Sequence, residues 1–88
     1  MNHHHRKVLH ALFSHPVSAN LDPKQVHAAL EEIGANVARG GHGQVVVTLN
    51  GHTQGFHDTH HSLSKEEVGA IRKFLSSAGV DPARDWPL

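Results

Sequence analysis

The stretch Gln44-Val45-Val46-Val47-Thr48-Leu49-Asn50-Gly51-His52-Thr53-Gln54-Gly55-Phe56-His57 decides how this chain folds. Its first half is rich in β-branched side chains, which fit a pleated, half-buried surface. Asn50-Gly51 is the pair favoured in a two-residue hairpin turn, where both central residues need positive φ. That turn sets the register. Leu49 faces His52, Val47 faces Gln54, Val45 faces Phe56, and Gln44 faces His57. Because side chains alternate along a strand, Val45, Val47, Leu49 and Phe56 share the face that meets the helices. Gln44, Val46, Thr48, Thr53 and His57 point the other way. A strand running back to His42 places that residue on the second face, diagonal to His57, at about 7–8 Å between backbones.

Working outward, residues 35–39 read as a short strand and Gly40-Gly41-His42-Gly43 as a flexible turn. The return strand is expected over 52–58 and a loop over 59–63. Ser64 with Glu67 forms a capping box for a closing helix whose stripe is Val68, Ile71, Leu75 and Ala78, stopped by Gly79. Upstream, Asp22 caps a helix with Pro23 at its first position and Gln25 closing a capping box. Its stripe is Val26, Ala29, Leu30 and Ile33, and Gly34 ends it. Residues 6–14 read as a first helix carrying Val8, Leu9, Leu12 and Phe13, ended by His15-Pro16. Residues 17–21 connect the two.

The order predicts an α+β fold, a two-layer sandwich with helices on one face of a three-stranded antiparallel sheet. With the first helix as an appendage, the core order α-β-β-β-α is that of double-stranded-RNA-binding domains. The expected division is a flexible N-terminus or tag remnant over 1–5, one domain over 6–80, and a tail bearing Trp86 over 81–88.

Eleven histidines stand among 88 residues, with no cysteine and no tyrosine. Lys plus Arg equals Asp plus Glu, eight each, so there is no blanket positive field for nonspecific nucleic-acid binding. Protonating a few histidines changes that balance. Without cysteine there is no disulfide framework and no thiolate zinc site. The longest apolar run, Val45-Val46-Val47, is far short of a membrane span. A soluble, cytoplasmic protein without a signal peptide or cofactor is the expectation.

His42, His52, His57, His60 and His61 fall in the central stretch from Gly40 to Leu63, where Asp58 is the one other charged residue. Metal-free RNA cleavage needs a base to activate the ribose 2′-hydroxyl and an acid to protonate the leaving oxygen, and imidazole performs either role. The glycine turn lets backbone amides approach a phosphate without side chains in the way. His57-x-x-His60-His61 is alternatively a metal-ligand set for zinc, copper or nickel, with Asp58 as an oxygen donor. His10 and His27 read as helix residues without partners.

Taken with the closing helix Ser64-Lys65-Glu66-Glu67-Val68-Gly69-Ala70-Ile71-Arg72-Lys73-Phe74-Leu75 and the following Ser77-Ala78-Gly79-Val80, these features resemble the HicA family of bacterial type II toxins. The apolar strand after a glycine–histidine turn, and Phe56-His57 with His60 nearby, carry the rest of the likeness, which spans residues 21–80. The segment from Arg6 to Pro16 looks like the extra N-terminal helix of longer members. The resemblance implies a ribonuclease of double-stranded-RNA-binding fold that cleaves messenger RNA and is silenced by a HicB-type antitoxin. The family places a catalytic histidine after glycine and serine at the turn into the second strand. His42 matches that place here, with glycine where the serine stands. Counting back from Asn50-Gly51 instead puts Gln44 there, which would either abolish activity or move it to His57 or His60.

The resulting expectation is an mRNA-cleaving enzyme with His42 and His57 as proton carriers. Arg39, Gly41, Gly43, Gln44, His60, Arg72 and Lys73 are expected to contact RNA. Lys65, Arg72 and Lys73 also fit a solvated helix face. A non-catalytic RNA-binding module and a histidine-rich metal binder are the alternatives. The open sheet edge and Trp86 raise the expectation of a homodimer or of antitoxin docking.

Overall fold

In a computed structural model, which describes residues 1–18 and 20–88, the chain forms α1 (His3–Leu12), α2 (Pro23–Glu32), β1 (Asn36–Arg39), β2 (Gln44–Leu49), β3 (His52–His57), α3 (Lys65–Ser77) and α4 (Pro82–Asp85). Ala19, within the 17–21 connector, lies outside the described residues. The three strands make one antiparallel sheet in the order β1-β2-β3. The segment from α2 to α3 therefore has the expected α-β-β-β-α order.

The hairpin sets the register that the sequence predicts. Asn50 and Gly51 have φ of 50° and 82°, both in the left-handed region a two-residue turn requires. Leu49 pairs with His52, Val47 with Gln54, Val45 with Phe56 and Gln44 with His57. Burial follows the alternation: Val45, Val47 and Leu49 are buried while Gln44 and Thr48 are exposed. Phe56 is half-buried and meets Phe74 of α3 edge-on, with ring centroids 5.8 Å apart. The Asn50 amide also donates to the carbonyl of Ala78 (2.8 Å), joining the turn to the end of α3.

The helix signals at α2 and α3 hold with one exception. Ser64 and Glu67 form the full capping box at α3. At α2 the Asp22 carboxylate accepts from the Lys24 amide, but the capping box expected of Gln25 does not form. Both α2 and α3 end in the same hydrogen-bonded turn. Ala35 N–H donates to Leu30 and Gly34 N–H to Glu31, and Val80 and Gly79 repeat this on Leu75 and Ser76.

Three expectations at the chain ends need correction. The first helix begins at His3, not Arg6, because Asn2 is a strong cap whose side chain accepts from the His4 amide. His5 Nδ1 lies 2.9 Å from Glu32 Oε1, so this segment is tied to α2 rather than hanging free. The helix ends at Leu12, where the Phe13 N–H turns back to the His10 carbonyl and both the N–H and the hydroxyl of Ser14 donate to the Ala11 carbonyl, closing the last turn. The tail 81–88 is part of the fold. Asp81 caps α4 with buried Pro82 at its first position, repeating the Asp-Pro start of α2. Trp86 packs against the core, and its carbonyl accepts from His10 Nε2 at 2.7 Å, so His10 has a partner after all.

Nor is the first helix an appendage. Leu9 and Leu12 of α1 are fully buried in the same cluster as Val26, Leu30, Val45, Val68 and Leu75. Leu12→Ala is therefore expected to remove about 2–4 kcal/mol of stability in a single urea transition, since the cavity opens in the common core. A wild-type transition with an unchanged midpoint in the variant, or an early separate loss of α1, would contradict this.

Candidate functional site

The two strand connections at one end of the sheet are locked together through backbone. Gly40 N–H donates to the Gln44 carbonyl (2.9 Å), closing the β1–β2 turn. One step beyond the last β2–β3 pair, Asp58 N–H donates to the Gly43 carbonyl (2.8 Å). His42 and Gly43 take φ of 66° and 68° to make this turn. The left-handed conformation costs a histidine more than a glycine, so the turn is held there by its bonds. As the sequence predicts, the strand starts at Gln44 and His42 sits in the turn itself; the conditional extension of β2 back to His42 does not form.

This clamp brings Arg39 at the end of β1, His42 in the turn, His57 at the end of β3 and the 58–62 loop to one end of the sheet. Arg39, Gly41, His42, Gly43, Gln44, His57 and His60 are all exposed. None of these rings enters the apolar core. Among the described residues the His42 and His57 rings make no side-chain hydrogen bond.

Two concavities flank the clamp. A cleft of about 580 Å³ lies between the start of α2, Arg39 and the loop after β3, lined by Asp22, Lys24, Arg39, Asp58, His60, His61 and Ser62. His61 Nδ1 there lies 3.2 Å from the Ser62 carbonyl. A second, more apolar groove of about 290 Å³ runs between α2, β3 and α3, with Phe56, Leu63 and Ile71 on its walls and His27, His57 and Glu67 among its polar groups.

His27 is half-buried, and its Nδ1 is buried without a partner. Burial, and secondly the Arg39 guanidinium, hold its pKa below the ordinary 6.5, against the opposing pull of Asp58, Glu31 and Asp22. Glu67 lies below the usual carboxylate range because the Thr59 hydroxyl donates to it, followed by the Ser64 amide. Among the described residues Thr59 is the one buried polar side chain, and this bond pins the loop after β3 to α3.

The expected RNA contacts do not form one patch. Lys73 sits in a shallow depression with His52, Thr53, Gln54, Phe74 and Ser77, toward the hairpin end of β3. His52 and His57 bound a six-residue strand, about 17 Å apart. Arg72 is half-buried, with one guanidinium nitrogen buried and unpartnered, so it belongs to the helix packing. The metal-ligand arrangement of His57, His60, His61 and Asp58 is not formed: among the described residues no three His, Cys, Asp or Glu side chains are grouped to hold an ion. Lys24 and His27 escape a sequence reading because they approach the site from α2 through tertiary packing. Their only local signal is position on the first turns after the Asp22-Pro23 cap.

Comparison with family models, curated proteins and solved structures finds no match for this chain.

Two titrations check this geometry. His27 favours its neutral form when folded, so it contributes stability that is complete above about pH 6.5 and is lost as pH falls through its lower folded value. His27→Gln should flatten the stability–pH curve just below pH 6.5 in urea melts; an unchanged slope would contradict the burial argument. Glu67, with its pKa depressed, contributes stability that is lost as pH falls below about 4.5. Thr59→Val should cost about 0.5–1.5 kcal/mol at pH 7 and shrink that acid loss. Equal acid sensitivity in both proteins would show that the bond is unimportant.

Proposed function

We propose that this chain is a HicA-type ribonuclease toxin that cleaves messenger RNA by histidine acid–base chemistry and is held silent by a HicB-type antitoxin in the cytoplasm. The observation that carries the reading is the Asp58–Gly43 clamp, which gathers exposed imidazoles and Arg39 at one open end of the sheet. The α2-to-α3 order, matching that of double-stranded-RNA-binding domains, supports it.

In this reading one imidazole of the His42–His57 pair removes the proton from a ribose 2′-hydroxyl. The 2′-oxygen then attacks the adjacent phosphorus, and the bond to the 5′-oxygen breaks. The second imidazole protonates that departing oxygen, leaving a 2′,3′-cyclic phosphate on one product. Arg39, with no ion-pair partner among the described residues, offsets charge building on the phosphoryl oxygens. The glycines at 41 and 43 leave the turn's backbone amides open to the strand. An antitoxin segment has a docking edge in β3, which pairs with β2 on one side only.

One observation favours a second reading, a non-catalytic RNA binder on the same scaffold. Among the described residues no hydrogen bond orients the His42 ring, whereas catalytic imidazoles are commonly fixed by a partner.

A single-stranded RNA assay in chelator separates the two. The wild-type chain should cut RNA, and His42→Ala and His57→Ala should each lower the rate by about 100-fold or more while keeping the fold. Growth inhibition on expression should fall in parallel. Undiminished cleavage by His42→Ala would remove its role, and bound but uncut RNA would favour the binder.

A further inference from the structure

Beyond Arg39, which the proposed chemistry already uses, the cleft beside the clamp carries charged groups that this chemistry leaves idle. Lys24 and Arg39 enter it from α2 and β1, and neither belongs to an ion pair; the pairs among the described residues are His5–Glu32 and Arg84–Asp85. Facing them are Asp22 and Asp58, and from the loop after β3 come His60 and His61. Asp22 already accepts from the Lys24 amide, so the helix terminus is occupied by its own cap. With neutral imidazoles the cleft holds two cations against two carboxylates and has no net charge. With both imidazoles protonated it carries two net positive charges. Imidazole is the side chain that gains charge between pH 8 and pH 5.

We propose that this cleft is a phosphodiester-binding subsite whose hold on RNA strengthens when His60 and His61 are protonated. The inference rests on the ribonuclease reading only for its choice of RNA as ligand. Its size, about 580 Å³, falls within the range of about 300–1,000 Å³ usual for small-ligand sites. Continuity with the clamp is covalent on both sides. Arg39 leads directly into the glycine turn, and Asp58 directly follows His57. An RNA strand lying across His42 and His57 can therefore place a neighbouring phosphate among Lys24, Arg39, His60 and His61. His27, behind the cleft on the next turn of α2, feels Arg39 and Asp58, but its burial disfavours a charge there. Within the cleft itself the histidines are His60 and His61, while His42 and His57 face the same strand from the clamp. Because a phosphodiester keeps its charge throughout this range, any pH dependence lies on the protein.

The test uses the full chain and a short 2′-O-methyl RNA carrying a rhodamine label whose charge is constant over this range; the RNA binds but lacks the 2′-hydroxyl needed for cleavage. Anisotropy is measured near pH 5.5 and near pH 8 at fixed ionic strength. The wild-type chain should bind about tenfold more tightly at the lower pH, and the His60→Gln/His61→Gln double variant should show a ratio of about two. Lys24→Gln should weaken binding about threefold at both pH values, and Asp58→Asn should strengthen it about threefold near pH 8. A double variant with the wild-type pH ratio, or Lys24→Gln with unchanged affinity, overturns the proposal. Parallel cleavage of unmodified RNA separates the two readings. Gated binding without cleavage sinks the nuclease alone, and cleavage with ungated binding sinks the subsite alone. No binding at either pH overturns both.

Discussion

Everything in this molecule hangs on the register of the β2–β3 hairpin, which the Asn50-Gly51 turn imposes through two consecutive positive φ angles. From that turn the pairing runs without a bulge to Gln44 and His57. The register sends Val45, Val47 and Leu49 into the core beneath the helices and leaves polar residues outside. It also fixes where the strands run out. Asp58 then meets Gly43 rather than another residue of the turn, and the histidine-bearing segments close on one another. A slip of one residue would at once turn the valines to solvent and part Asp58 from Gly43. Core and site are thus consequences of the same turn.

The site that results is built on backbone, with its imidazoles free in solvent. This suits a surface that must meet a large polyanion more than one that must enclose a small substrate. The overall charge balance of the chain is neutral, eight cationic against eight acidic side chains, so the proposed attraction to RNA rests on local charge. Locally, among the described residues neither Arg39 nor Lys24 belongs to an ion pair, and both line the cleft with His60 and His61. The Thr59–Glu67 bond holds the loop carrying His60 and His61 against α3, so those rings sit on an anchored segment.

How much of this could be read from the chain alone follows the range of the forces involved. The hairpin, the Ser64–Glu67 capping box and the Gly34 and Gly79 helix ends are local chemistry, and each appears where the residues say. Asn2 and Asp81 carry the same local signals at the chain ends. They were legible there too, but terminal position argues for fraying, and what decides against it is tertiary: Glu32 on His5, and His10 on the Trp86 carbonyl. Of the site, the convergence of Arg39, His57 and His60 follows from strand order. The left-handed turn at His42 does not, since the histidine could equally have extended the strand. The position of Lys73 beside the hairpin end, and the half-burial of Arg72, likewise follow from tertiary packing. A helix stripe shows which face is apolar but not which end of the sheet its flank overlooks.

The central claim is that RNA meets this protein at the clamped end of the meander. Histidine and backbone NMR signals followed during titration with uncleavable RNA test it most directly. Resonances of Arg39, His42, His57, His60 and His61 should move together, while His52 and Lys73 at the hairpin end stay still. Movement concentrated at His52 and Lys73, with the clamped end silent, would contradict the account.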